Sequence, residues 1–421
     1  MKKIFSLFVA FVMVVCCVLC LTACGEKKFK VGLICLHDES STYDKNFIDS
    51  MYRALDELGL DKDQLELVTG VPEGNKCYET ATELAATCKV VFADSFGHED
   101  FMIQAAKENP NVLFCHATGT KAHTENLPNY YNAFASIYEG RYLAGVAAGL
   151  KLQEMMAAKP TTLPVVGYVA AWPYAEVISG YTAWYLGVRS IVPTATMKVT
   201  YTGSWYDEKL ENAAATKLIS AGCVIISQHA DSMGAPKVCE GNKDSSGNPD
   251  PVPNVTYNGT TEADCPNSYV ISSKIDWTPY YVKMIKAAMN NETVAEKDYT
   301  GTIQTGSVKL DAPGKKAAAA GTQAKLDEVK AQLLNGTLHV FDTSKFTVTT
   351  KGDGVNTFFN LNATVDANGH VTSYMADVDS DPAYTGDTEV VKDGYFHESE
   401  YRSAPYFDLI IDGVILIDEA Q

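Results

Sequence analysis

The feature that most constrains this chain is a rhythm. From Lys30 onward, short apolar runs alternate with segments whose apolar residues recur at helical spacing. Runs at 30–36, 90–93, 112–115, 165–170, 197–201, 224–227 and 269–275 read as buried strands, because each is short, apolar and bounded by polar turn residues. Between them, Phe47, Met51, Leu55 and Leu58 fall on one helical face. Further helices are expected over 100–107, 138–150, 175–188, 208–220, 278–289 and 323–334, the last ended by Asn335-Gly336. In 138–150 the small residues Gly145, Ala147, Ala148 and Gly149 permit a close helix approach. Repeated β-α order predicts an α/β fold of parallel sheets covered by helices. Such sheets bind ligands outside the carboxyl ends of their strands.

Two stretches break the rhythm. Residues 237–267 are rich in Gly, Asn, Pro and Asp and read as a surface excursion. Beyond Phe341, alternation over 345–350, 358–365 and 370–374 suggests hairpins, with Ala367-Asn368-Gly369 as a turn. This tail reads as a β-rich embellishment on one lobe.

The N-terminus is a separate element. Met1-Lys2-Lys3 precedes an apolar run to Ala23, the pattern of a secretory signal, although its length also suits a membrane span. The run ends Leu21-Thr22-Ala23-Cys24-Gly25, which resembles a lipobox. On that reading Cys24 carries the lipid and residues 26–28 begin a polar tether. Two or more acyl chains hold a soluble domain stably at a membrane. Either reading places the folded part outside the cytoplasm, at the cell membrane.

Composition narrows the partners. The formal net charge is −18, which repels polyanions, so nucleic acid is excluded as a partner and an uncharged or weakly cationic solute is favoured. Of eleven cysteines, Cys16, Cys17 and Cys20 lie in the signal and Cys24 is the lipidation site, leaving an odd seven. None forms a metal-type Cys-x-x-Cys, and no metal or cofactor is expected. Cys35, Cys115 and Cys223 sit in apolar runs and read as buried thiols. Cys239 and Cys265 flank the turn-rich loop, a placement open to a disulfide or to two free thiols.

Several segments in order resemble one family. They are Val31-Gly32-Leu33-Ile34 with Asp44-Lys45-Asn46-Phe47, then Asp94-Ser95-Phe96-Gly97 with residues 109–114. The long run from Tyr138-Glu139-Gly140-Arg141 to Gly149 follows, then Gly203-Ser204-Trp205-Tyr206-Asp207 and Gln228-His229-Ala230-Asp231. Together they resemble the basic membrane protein (PnrA-like) family of ABC-transporter substrate-binding lipoproteins, which includes purine nucleoside receptors. The resemblance implies a two-lobed, class I periplasmic-binding-protein-like fold. It also implies a purine nucleoside or base in the cleft, and a permease with separate ATPase subunits as partner. The implied division is a signal peptide over 1–23, a lipidated tether over 24–29 and a first lobe over 30–137, with 268–330 returning to it. The second lobe covers 138–267, with 335–421 added.

On the same resemblance Phe47 and Trp205 cover the two faces of a planar ring, one from each lobe. Gln228, His229 and Asp231, at the end of a strand, are edge contacts, as are Asp94, Ser95 and Phe96 in the other lobe. Glu262 and Lys274 lie near the positions that grip ribose hydroxyls. The chain departs from the family at Cys35-Leu36-His37-Asp38, at Ile48 and at Trp205. With Gln228-His229 and Trp277, these departures resemble a branch associated with free bases as well as nucleosides. No catalytic residue is assigned: Gly-x-Ser-x-Gly, His-Glu-x-x-His and a Walker loop are absent. The competing readings are a nucleoside-processing hydrolase and a surface sensor or adhesin whose tail binds another partner.

Overall fold

The structure is a computed structural model that describes residues 28–349, 362–378 and 388–417. The expected signal, Cys24, Thr350 at the end of the first alternating stretch and residues 358–361 of the second lie outside the described residues. Five strands open the fold: β1 (Val31–Ile34), β2 (Leu65–Val68), β3 (Val90–Ala93), β4 (Leu113–Ala117) and β5 (Tyr130–Ala135). They pair in parallel, and β11 (Asp298–Gly301) returns to complete the order β11-β5-β4-β3-β1-β2. The second sheet holds β6 (Val165–Ala170), β7 (Thr196–Tyr201), β8 (Ile225–His229), β9 (Asn254–Tyr257) and β10 (Tyr269–Ile275). At its ends lie β12 (Val308–Leu310), antiparallel to β10, and β18 (Val414–Leu416), parallel to β7. The two sheets define two lobes.

Local chemistry explains the helices that matter for the cleft. Helix α1 (Thr42–Leu58) starts at Ser41, whose hydroxyl accepts from the Asp44 N–H at 3.2 Å, and ends where Gly59 turns left-handed at φ 67°. Helices α2 (Asn75–Ala85), α3 (Glu99–Glu108) and α4 (Ala122–Glu125) cover the first sheet. Helix α5 (Ile137–Ala158) crosses α6 (Ala175–Ile191) in near backbone contact, and α7 (Glu208–Ser220) covers the second sheet. A Cβ on Gly145 would lie 2.0 Å from the Trp184 carbonyl oxygen, and one on Gly187 2.1 Å from that of Tyr142. Only hydrogen fits at either place, so the small residues of this region act as read from the sequence.

Arg141, on α5, is fully buried. It donates to Tyr168 Oη at 2.8 Å, Ser227 Oγ at 2.9 Å and Ser273 Oγ at 3.3 Å, and to the carbonyls of Thr256 and Gln228, both at 3.3 Å. One guanidinium thus fixes the carboxyl-end region of four strands of the second sheet. The fork of five donors suits this task in a way that no other side chain would.

Four sequence expectations change. Residues 237–267 contain an exposed turn around Asp244, but also the end of α8 (Gly234–Gly241) and the fully buried β9, which sits between β8 and β10. Residues 268–330 divide between the lobes. Strands β10 and β12 stay in the second sheet and α10 (Thr322–Leu334) packs on α5, while α9 (Thr278–Asn290) lies against α1 and β11 joins the first sheet. An apolar run reports burial but not which sheet it enters. No strand forms over 346–349, which follows a 3-10 turn at Thr343–Lys345.

The fourth change is in the tail. The expected hairpin forms from β13 (Ala363–Val365) and β14 (Val371–Ala376), with Gly369 at φ 88°, and β15 (Thr388–Glu389) pairs with β14. A second hairpin pairs β16 (Val391–Lys392) with β17 (Tyr395–Phe396). The chain then runs between the lobes rather than standing on one. The buried Glu398 carboxylate accepts from the Tyr406 and Phe407 N–H groups at 2.8 and 3.0 Å. Ser403 Oγ donates to Asp298 Oδ1 of β11 at 2.9 Å, and Thr300 Oγ1 to the Ser399 carbonyl at 3.3 Å. Strand β18 then joins the second sheet. Among the described residues seven cysteines are free and buried, Cys239 and Cys265 among them. No helix among the described residues is long and apolar enough to cross a membrane.

Candidate functional site

The carboxyl ends of both sheets face a cavity with an empty volume of about 380 Å³, its mouth included. The first lobe contributes Leu36 and His37 after β1, Tyr43 and Asp44 on the first turn of α1, Ser95 and Phe96 after β3, and Thr118 after β4. The second contributes Glu176 at the start of α6, Trp205 after β7, His229 and Asp231 at the end of β8, and Tyr257 at the end of β9. The cavity therefore lies where the strand-end rule places ligands in such sheets.

The lobes touch across this cavity. The Thr42 N–H and Oγ1 both donate to the Asp231 carbonyl at 3.2 Å. His37 lies 5.2 Å from the Tyr206 ring, and Phe96 lies 5.6 Å from Tyr174, centroid to centroid. Trp205 packs 6.1 Å from Tyr174, and its carbonyl accepts from the Asp231 N–H at 2.9 Å. The loop bearing the indole is thereby tied to the loop bearing the carboxylate.

Half of the expected residues line the cavity: Ser95, Phe96, Trp205, His229 and Asp231. The others do not. Phe47 is 1% exposed and stacks on Trp277 at 4.4 Å and 22°, filling the seam between α1 and the start of α9. Its helical neighbour one turn earlier, Tyr43, lines the cavity instead, since the N-terminal turn of α1 is the part that points there. Gln228 faces away from the cavity and holds the following turn, donating to the Ala230 and Ser232 carbonyls at 3.0 and 3.3 Å. Asp94 is buried beneath the cavity floor, where it accepts from the Leu36 N–H at 3.1 Å. Glu262 accepts from the Lys315 N–H at 2.8 Å, and Lys274 pairs with Asp311. Neither lines the cavity: Glu262 lies in the loop between β9 and β10, and Lys274 on β10 opposite Lys309 of the edge strand β12.

Electrostatics in the cleft are dominated by carboxyl groups. Burial, then the nearby Asp44 charge, pushes Asp94 well above the usual carboxylate range. Burial acts against Asp44 too, but hydrogen bonds from His37 and Ser41 outweigh it and hold Asp44 below that range. Asp231 is pushed well up by burial and then by Asp44 and Glu211. Burial lowers His229 and favours its neutral ring, against the pull of Glu176 at 3.5 Å. Cys35, Asp44 and Asp94 place ligand-type atoms within 4.8 Å of one another. A cation fits poorly there. The N–H groups of His37 and Leu36 take up one oxygen of each carboxylate, and Asp94 is driven toward its neutral form.

The residues missed from sequence are Leu36, His37, Tyr43, Asp44, Thr118, Glu176 and Tyr257. Leu36, His37, Thr118 and Glu176 follow strands that were expected, so the same strand-end rule reaches them. Tyr257 was hidden because β9 lies in the segment read as loop.

Comparison with known proteins agrees with this architecture. A family profile described as "ABC transporter substrate-binding protein PnrA-like" matches residues 31–342. A purine-binding protein of Brucella abortus is 31% identical over 292 residues, covering 68% of this chain and 76% of that protein. A Haloferax volcanii protein, provisionally named an ABC transporter glucose-binding protein, is 33% identical over 261 residues. That alignment covers 61% of this chain and only 60% of the relative's length. Among solved structures, an ABC transporter solute-binding protein from Aeropyrum pernix matches 77% of this chain and 94% of its own at TM-score 0.59 and 13% identity. One from Conexibacter woesei matches 74% and 98% at TM-score 0.57 and 18% identity. At these identities the two structures speak for the periplasmic-binding-protein-like fold alone.

Proposed function

The chain belongs to the PnrA-like family of ABC-transporter substrate-binding proteins, which bind solutes rather than transform them, and within it we propose that this member captures a purine base or nucleoside in its inter-lobe cleft. The observation that carries the reading is an aromatic slot made by both lobes: Tyr43 and Phe96 from one, Trp205 and Tyr257 from the other. Aromatic faces suit a planar ring, and a stacked pair contributes about 1 kcal/mol beyond area burial. Carboxyl groups at the rim offer edge contacts. The Brucella relative, named for purine binding, supports the same reading.

Solute stacks on one lobe while the cleft is open, and the other lobe then closes over it. Ligand drives closure only as far as it prefers the closed form. A permease powered by ATPase subunits on other chains reads the closed shape. Lipid on Cys24 keeps the receptor at the outer face of the membrane. Mass spectrometry of solute co-purifying with the full chain, backed by calorimetry with bases and nucleosides, tests the proposal. A purine is the expected result. Glucose, the solute in the Haloferax relative's provisional name, bound in preference to every purine would overturn it.

The tail speaks against a separate adhesin module. Phe407, Leu409 and Ile411 are at most 1% exposed, so its apolar surface is already used within the fold.

A further inference from the structure

The cleft has acceptors to spare and few donors. Its Ser95 hydroxyl is committed to Glu73 Oε1 at 2.6 Å, and the N–H groups of Leu36 and His37 are committed to Asp94 and Asp44 at 3.1 and 2.7 Å. The Tyr43 hydroxyl is committed to the Asp94 carbonyl at 2.7 Å. No lysine or arginine lines the cavity.

The acceptors are under-used. Asp44 is 1% exposed, and the partner seen at its Oδ2 is the His37 ring, at 3.4 Å. No hydrogen bond to the Asp231 carboxyl is found among the described residues, and Glu176 has only the His229 ring, at 3.5 Å. A second, independent observation marks the same spot. Thr118 is 3% exposed, lines the cavity and leaves its hydroxyl unpartnered, with its backbone at φ 70°. A β-branched residue in the left-handed region is strained, and such strain is concentrated at binding sites.

Asp44 of one lobe and Glu176 and Asp231 of the other line the same cavity, with no lysine or arginine among its lining residues. A buried carboxyl oxygen that no donor meets carries an unrepaid desolvation cost. A guest that donates hydrogen bonds to all three relieves this, whereas a guest with acceptors facing them adds to it. We infer that the solute is a heterocycle whose edge presents several N–H donors, an amino-substituted base, and that the cleft selects against analogues lacking those donors. This inference rests on the purine reading above.

The test is calorimetry on the full chain with purine, adenine, 2,6-diaminopurine and hypoxanthine. Affinity is expected to rise from purine to adenine to 2,6-diaminopurine by about tenfold per amino group, because each donor lost leaves a buried acceptor unpaired. Hypoxanthine, with an oxo acceptor in place of the amino group, should bind more weakly than adenine. Glu176→Gln and Asp231→Asn should each shrink the adenine-to-purine ratio. Thermal melts of both variants identify which are folded, and one folded variant suffices for the comparison. If purine and adenine bind within about threefold of each other, or if hypoxanthine binds tighter than adenine, the donor inference falls and the purine reading stands. If none of the four binds, both fall together.

Discussion

Replacing Trp205 by alanine separates a binding role for this residue from a packing one. The indole is half-buried, lines the cleft and has Tyr174 as its ring neighbour at 6.1 Å. An indole face covering roughly 60 Å² of a ligand ring contributes about 1.5 kcal/mol at about 25 cal/mol per Å². The stack itself adds about 1 kcal/mol. The sum, about 2.5 kcal/mol, corresponds to a loss of roughly 70-fold in affinity. If Tyr174 shifts toward the vacated space and recovers part of the contact, the loss falls to about tenfold, which is the lower bound. The substitution is clean, because Trp205 holds the Asp231 N–H through its backbone carbonyl, which alanine retains. Calorimetry with the solute that binds wild type most tightly measures the effect, and quenching of tryptophan emission on binding gives a second readout. Equal affinities for wild type and Trp205→Ala would refute the stacking argument.

Two further substitutions probe the neighbourhood. Phe47→Ala should cost about 3–5 kcal/mol of stability, as for other buried phenylalanines, because the ring packs on Trp277 in the core. Its solute affinity, measured below its melting transition, should stay near wild type, and a large affinity loss with an unchanged melt would return Phe47 to the site. Glu211 is buried beneath the Asp231 loop, accepts from the Ser232 N–H at 3.1 Å and is pushed up to about 7, chiefly by burial. An acid raised in the folded state is costly to ionise there. The penalty is absent below its ordinary value near pH 4.5, grows between about pH 4.5 and 7, and is full above that. Glu211→Gln should therefore be more stable than wild type at pH 8, by at most about 3 kcal/mol, with the difference vanishing near pH 4.5. Melts across that range decide it, and a difference independent of pH would rule out the titration of Glu211.

The fold was largely legible because each strand of the β-α rhythm is short, apolar and followed by a patterned helix. Residues 90–93 and 165–170 match β3 and β6 to the residue. Strand β9 escaped because its four residues, Asn254–Tyr257, carry two polar side chains and sit among turn formers. Its burial comes from neighbours on both sides, which local sequence does not display. The site was legible in position more than in detail. Knowing that β8 ends at His229 locates the cleft, but alternation along that strand turns His229 inward and Gln228 away. At the start of α1 the ambiguity was one helical turn: Tyr43 and Phe47 share a face, and only the place where the helix meets Trp277 decides which ring stays free. Glu262 and Lys274 failed for a different reason. The assignment of Lys274 depended on which lobe β10 joins, a long-range fact, and that of Glu262 on the register through the turn-rich 237–267.

The stretch that ties β11 to the second sheet alters how this receptor is to be cut and how it moves. Similarity to the family stops at residue 342, yet β18 completes the second sheet and the Glu398 carboxylate organises the passage between the lobes. An expression boundary drawn at the edge of the recognisable domain would strip a sheet of its outermost strand and uncover Phe341, which lies against Phe407 at 4.2 Å. In the intact molecule, any swing of one lobe must carry or slacken that passage. The rate of solute release then depends partly on residues that never meet the solute.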